Sequence, residues 1–145
     1  MIISHVLSNK EKKTLITING DDLISDAAKL LADHKIGALP VTSNGSKVEG
    51  ILSERDIVKE IAIKGILALS LKIRDVMTKT VSTCTTKDTL KAVIEKMNKG
   101  RFRHMPVLEN GEMIGFISIS DLVLAHLNEV EYENAAMRGS VTGFN

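Results

Sequence analysis

The sequence predicts an α/β (α+β) fold built from two successive β-α-β-β-α units, and three observations carry that expectation. First, the stretch Gly50-Ile51-Leu52-Ser53-Glu54-Arg55-Asp56 returns as Gly115-Phe116-Ile117-Ser118-Ile119-Ser120-Asp121, with glycine, serine and aspartate at the same places. Second, Thr17, Asp22, Pro40, Val41, Asn44 and Gly45 recur 66 positions later, and Gly50, Ser53, Asp56 and Val58 recur 65 positions later. Third, each copy closes the same order of apolar patterns: a short alternating run, a stretch of helical spacing, then two short runs joined by Asn-Gly. An internal duplication explains this register.

Taken in order, residues 1–13 read as a leader in which Ile2, Ile3, Val6 and Leu7 make an amphipathic turn or two ahead of Lys10-Glu11-Lys12-Lys13. The first repeat, residues 14–65, opens with a strand over Leu15–Ile18. The turn Asn19–Asp22 leads into a helix with Leu23, Ala27, Leu30 and Leu31 inward, and Gly37 marks its end. Ala38–Val41 is a strand, Asn44-Gly45 a turn, and a second strand from Val48 runs into the Gly50–Asp56 stretch and its helix. The connector, 66–79, is too apolar (Ile66, Leu67, Leu69, Leu71, Ile73) for a flexible linker and should pack on the body, with a helical turn over 73–77. The second repeat, 80–128, has a strand at Val81–Thr83. A helix with Leu90, Val93, Ile94 and Met97 inward follows and ends at Gly100. A strand at Met105–Val107, the Asn110-Gly111 turn and the second Gly–Ser–Asp stretch close the unit. Residues 129–145 continue the last helix toward Met137 and fray around Gly139 and Gly143.

Whole-chain properties set bounds. A chain of 145 residues buries about two-thirds of its unfolded surface and needs no disulfide or metal to fold. Its net charge of +1 gives no polyelectrolyte drive toward nucleic acid or anionic membrane. With three Phe, one Tyr and no Trp, there is little from which to build base-stacking platforms. Cys84, the single cysteine, can form neither an internal disulfide nor a thiol-based zinc site. The first residues lack the pattern of a signal peptide, and no run approaches the ~18 apolar residues of a membrane span. The expected setting is a reducing cytoplasm.

The repeated turn has two readings. Ser53 followed three residues on by Asp56, like Ser118 by Asp121, has the spacing of a helix capping box, and capping alone accounts for one such motif. A buried strand that runs through a short turn into a helix also presents free N–H groups and the positive end of the helix dipole, where anionic or hydroxyl-bearing ligands settle.

The ordered double set of motifs, with Ala38-Leu39-Pro40-Val41 and the connector Ile73-Arg74-Asp75-Val76-Met77-Thr78, resembles a tandem CBS-domain pair over roughly residues 14–128. It is similar to the small stand-alone kind found in bacteria. The resemblance implies two pseudo-symmetric repeats packed through their sheets, with related clefts between them that take AMP, ADP, ATP, sometimes NAD or S-adenosylmethionine. Carried over residue by residue, it implies that Asp56 and Asp121 hold ribose hydroxyls, with Ser53 and Ser118 beside them. Thr17, Thr83, Ile36, Gly37, Ala38 and Phe102 would line the base or cleft, and Arg55, Arg101, Arg103 and His104 would meet phosphates. For Arg101, Arg103 and His104 a solvated basic patch at a helix end is the alternative.

The function expected from this is regulatory binding of an adenosine nucleotide without catalysis, reporting energy or redox state to an unknown effector protein. No catalytic residue, catalytic cofactor or metal is assigned: the aspartates lie beside no nucleophile–base pair, and His5, His34 and His126 have surface or structural roles. A dimerisation module with vestigial pockets is the alternative. The resemblance also implies a homodimer formed through helix faces carrying Ile57, Ile61, Leu122 and Leu127, with the C-terminal helix in support.

Overall fold

The computed structural model describes residues 1–10 and 15–142. Its elements are α1 (Ile3–Asn9), α2 (Ile24–His34), β1 (Ala38–Val41), β2 (Gly50–Ser53) and α3 (Glu54–Lys64), then two 3₁₀ turns (Gly65–Ser70, Ile73–Asp75). They continue as β3 (Cys84–Thr85), α4 (Leu90–Gly100), β4 (His104–Glu109), β5 (Glu112–Ser118) and α5 (Ile119–Thr142). β1 and β2 pair antiparallel, while β3, β4 and β5 form a sheet with a parallel and then an antiparallel pair. The two halves repeat each other closely. Ile18 bridges Val41 in the first as Cys84 pairs with Val107 in the second, 66 positions on.

The helices form where the apolar spacing places them. Ile24, Ala27 and Leu31 of α2 and Leu90, Val93 and Met97 of α4 are buried at equivalent positions. α4 ends on Gly100, as expected, while α2 ends on His34, short of Gly37. The left-handed residue that closes each helix is not a glycine but Lys35 (φ 53°) and Arg101 (φ 57°). Leu23, expected inward, is the exposed residue before α2, and its N–H is held by the Asp26 carboxylate at 3.0 Å. The Asn110-Gly111 turn has both residues at positive φ (52° and 79°), the geometry of a two-residue hairpin.

The first strands differ from expectation. Leu15–Ile18 is reduced to one bridge at Ile18, and the expected strand Val81–Thr83 moves on to Cys84–Thr85. These segments pair on one side only, so few ladder bonds hold them. α5 runs through Gly139 to Thr142; Gly143, like Glu11 to Lys13, lies outside the described residues.

The N-terminal segment is no loose leader. Ile3 and Val6 are buried in the core of the second half with Cys84, Leu90, Val93, Met97, Met105, Val107, Ile117 and Leu122. The connector residue Ile73 is buried in the core of the first half, where Leu71, Val76 and Met77 pack against it. The backbone bonds mirror one another. Ile24 N–H donates to Leu71 C=O, Ile73 N–H to Asp22 C=O and Arg74 N–H to Gly20 C=O, each at 2.9 Å. In the other half Leu90 N–H donates to Met1 C=O (3.0 Å), Ile3 N–H to Asp88 C=O (2.9 Å) and Ser4 N–H to Thr86 C=O (3.0 Å). Each repeat is therefore preceded by an arm that docks on the other repeat. The arms match seventy positions apart, Ile3 with Ile73, Val6 with Val76 and Leu7 with Met77. The rest of the connector packs less than expected, with Ile66 and Leu67 exposed, and Ile57 and Leu122 belong to the two cores instead of an outer helix face.

Candidate functional site

Both Gly–Ser–Asp turns are capping boxes. Asp56 N–H donates to Ser53 Oγ at 3.2 Å, and Ser53 N–H donates to Asp56 Oδ2 at 2.9 Å. In the second turn Asp121 N–H donates to Ser118 Oγ at 3.2 Å, and Ser118 N–H donates to Asp121 Oδ2 at 2.8 Å. Each carboxylate thus commits Oδ2 to its helix start. Its Oδ1 has no hydrogen-bond partner among the described residues and remains an acceptor. Capping and ligand binding are compatible here, because they call on different oxygens.

The strand edge before each helix is held in the same way. Glu54 N–H donates to Gly37 C=O at 2.9 Å, and Ile119 N–H donates to Arg103 C=O at 2.8 Å. The residues entering β1 and β4 are thereby fixed beside the turns. Between them lies a cleft of about 1560 Å³, larger than the roughly 300–1,000 Å³ of a typical small-molecule site. Ser53, Asp56, Ser118, Asp121, Arg55, Arg101, Arg103, His104, Ile36, Gly37, Ala38 and Phe102 all line it, so residues from both repeats share one space. Lys10, Lys35 and Lys59 line it too, and of the acidic residues among those described only Glu54, Asp56 and Asp121 do. Among the described residues, six lysine and arginine side chains against three carboxylates make it a place for an anionic ligand.

Two expected residues lie elsewhere. Thr17 lines a separate groove of about 550 Å³ with Asp22, Asp26, Lys29 and Asp33. Thr83 lines neither space; its C=O accepts from Lys96 Nζ at 2.6 Å. The cleft is met instead by Leu15, Ile16, Thr80, Val81 and Ser82.

His104 lines the cleft in a different electrostatic state from the arginines beside it. Burial, partly opposed by the nearby Asp121 and reinforced by Lys10 and Arg103, holds its pKa down at about 4, from an ordinary 6.5. At neutral pH it is an uncharged imidazole, able to share a hydrogen bond. It stacks on Phe116 with ring centroids 5.6 Å apart and planes 12° from parallel. The arginines carry the charge, and both Arg101 and Arg103 are exposed at the cleft.

Sequence reading missed Lys10. Its Nζ lies 3.1 Å from Asp121 Oδ2 and donates to Phe116 C=O at 2.6 Å. The arm register that carries Ile3 onto Ile73 carries Lys10 onto Thr80, and that seventy-residue register is the signal that would have placed it.

Duplicated β-α-β-β-α units, exchanged arms and one cleft framed by paired Ser–Asp caps define a two-repeat module with a shared inter-repeat site. Comparison with known proteins gives it a family. The CBS domain profile matches residues 11–63 and 73–128, and the chain belongs to the CBS-domain family as a tandem pair, a regulatory module. The CBS domain-containing protein CBSX3, mitochondrial, of Arabidopsis thaliana is 33% identical over 94% of this chain and 72% of its own length. Another Arabidopsis thaliana relative, CBSCBSPB2, is 29% identical, and the chain spans 23% of its length. Among solved structures, the CBS-domain containing protein ATU1752 from Agrobacterium tumefaciens has 40% identity and a TM-score of 0.82, covering 87% of this chain and 99% of that one. The CBS domain pair of protein MJ0100, in complex with 5′-methylthioadenosine and S-adenosyl-L-methionine, has 25% identity and a TM-score of 0.78, over 89% of this chain and 98% of that one.

Proposed function

We propose that this CBS pair binds adenosine nucleotides (AMP, ADP, ATP or NAD) in the two halves of its cleft, without catalysis, and reports energy or redox state to an effector protein. The observation that carries the reading is the pair of carboxylates, each with an oxygen left over from its cap, that line a cleft with an excess of cations among the described residues. A carboxylate oxygen at a helix start accepts hydrogen bonds from adjacent ribose hydroxyls, and arginines beyond it take phosphates. The adenosine-containing ligands named with the MJ0100 pair support the same chemistry. A nucleotide held through Asp56 extends its phosphate across the pseudo-axis to Arg103, with neutral His104 alongside. One held through Asp121 reaches Arg55.

The module works as a homodimer in this reading. Val58 and Val123, equivalent in the two repeats, are exposed with Ile61, Leu124 and Leu127, an unpaired apolar helix surface suited to a second copy. A reducing compartment suits Cys84, which is buried and whose thiol burial pushes up to about 11. No helix among the described residues is long and apolar enough to cross a membrane.

Thermal unfolding with AMP, ATP and NAD tests the reading. A nucleotide at a hundred times its dissociation constant stabilises by about 2.7 kcal/mol. No shift with any of the three, or steady product formation from ATP or NAD that is lost in Asp121→Asn, would remove it.

A further inference from the structure

The two carboxylates of the cleft are not in the same state. Asp56 has its cap and, among the described residues, no cationic partner within 4.0 Å. Asp121 has the same cap and, in addition, the Lys10 ammonium 3.1 Å from its Oδ2. That ammonium is anchored on both sides, because it also donates to the Phe116 carbonyl at 2.6 Å. The equivalent carbonyl in the first repeat, Ile51, is taken by backbone: Thr78 N–H donates to it at 2.9 Å, and Ile51 N–H returns the bond at 3.0 Å. So a side chain does in the second half what a backbone bridge does in the first. The position matching Lys10 in the first half is the uncharged Thr80, which also lines the cleft. α1 fixes where Lys10 sits, since Ile3 and Val6 are core residues and Leu7 lies against Gly115.

We propose that Lys10 is a selectivity residue for the Asp121 half of the cleft: an internal cation on Oδ2 that offsets the charge with which the carboxylate holds ligand hydroxyls, and so ranks the two halves. This rests on adenosine-nucleotide binding as the function. A ribose diol arriving at Asp121 Oδ1 meets a carboxylate whose charge the ammonium on Oδ2 already offsets, and its hydroxyls are held more weakly. A diol arriving at Asp56 meets a carboxylate with no such neighbour. The Asp56 half fills first and the Asp121 half second.

The test is calorimetric titration of AMP into the full chain and into Lys10→Gln, with Lys10→Arg as the charge-preserving control. In Lys10→Gln the second, weaker binding step tightens by roughly fivefold, the equivalent of about 1 kcal/mol for a part-exposed pair. The first step is unchanged, and Lys10→Arg behaves as wild type. Uncharged adenosine adds a readout that a purely structural role would not move. Raising the salt concentration tightens the second step for adenosine in wild type, by screening the internal pair, and leaves Lys10→Gln flat. A second step that is unchanged or weakened in Lys10→Gln overturns the assignment and makes Lys10 neutral or a direct ligand contact. Absence of AMP binding in every variant overturns the nucleotide reading itself, and this assignment with it; the two failures are told apart by whether wild type binds at all.

Discussion

A Cβ added to Gly37 would lie 3.5 Å from Cε1 and 3.6 Å from Nε2 of His104, so the entry to β1 in one repeat touches the entry to β4 in the other. By the repeat register His104 is the counterpart of Ala38, the residue after Gly37. The imidazole therefore stands where the two halves meet, stacked on Phe116 and largely withdrawn from water. A methyl group at that position would meet it at ordinary contact distance.

His104 makes stability depend on pH with a definite sign. Its folded pKa, about 4, is below its ordinary 6.5, with burial the chief cause. Between those values the unfolded chain takes up a proton that the folded chain refuses. The contribution is complete above about pH 6.5, declines as pH falls toward 4, and amounts to on the order of 3 kcal/mol when fully lost. Urea unfolding at pH 7 and pH 4.5 checks this: the loss between the two is smaller in His104→Gln than in wild type. An equal loss in both would mean that the imidazole is not held neutral.

The exchanged arms carry stability at both ends. Ile3 and Ile73 are both fully buried, one in each core. Ile3→Ala and Ile73→Ala should each cost about 2–5 kcal/mol in denaturant unfolding. A loss below about 0.5 kcal/mol for Ile3→Ala, the size of an ordinary surface substitution, would mean that α1 is not docked.

Two equivalent glycines should respond unequally to alanine. A Cβ at Gly50 would lie 2.5 Å from Met77 Sδ and 2.9 Å from the Thr78 carbonyl, which is bonded into the bridge with Ile51. At Gly115 the nearest atom is Leu7 Cδ2, at 2.8 Å, the end of a side chain that can turn aside. Gly50→Ala should cost roughly 1–3 kcal/mol, and Gly115→Ala clearly less, by thermal unfolding of the two variants. Equal costs would show that the arm at Leu7 is as rigid as the bridge at Thr78.

The arginines should divide between the halves. Charged hydrogen bonds contribute roughly 1.5–3 kcal/mol, so Arg103→Ala should weaken AMP at the Asp56 half by about tenfold to a hundredfold. Arg55→Ala should act mainly on the Asp121 half. Calorimetry on both variants checks the cross-repeat pairing, and equal losses at both steps would contradict it.

Much of this was legible in the sequence, for physical reasons. The duplication, the helix faces of α2 and α4, the Asn110-Gly111 hairpin and the two Ser–Asp turns all follow from local spacing and turn chemistry. Nonlocal facts were hidden. An amphipathic Ile3–Leu7 turn announces that it is buried, yet nothing local says in which repeat. Only its match to Ile73–Met77 would have linked the two arms, and with them Lys10 to Asp121. The first strands shrank because one-sided pairing at Ile18 and Cys84 needs few residues. Thr17 and Thr83 fell outside the cleft, and nothing in their local sequence announces it. His104 reads in a sequence as a group that titrates near neutrality, and only its surroundings keep it uncharged down to about pH 4.

The central claim is that the cleft holds adenosine nucleotides through Asp56 and Asp121, and AMP titration of the Asp56→Asn, Asp121→Asn double variant tests it most directly. Asparagine Oδ1 can still accept the capping N–H groups of Ser53 and Ser118, so the fold is preserved and the unfolding temperature stays near wild type. The account predicts saturable AMP binding to wild type and at least roughly tenfold weaker binding to the double variant, as one charged hydrogen bond lost per site requires. Wild-type protein that does not bind AMP, or a folded double variant that binds it equally well, would contradict the account.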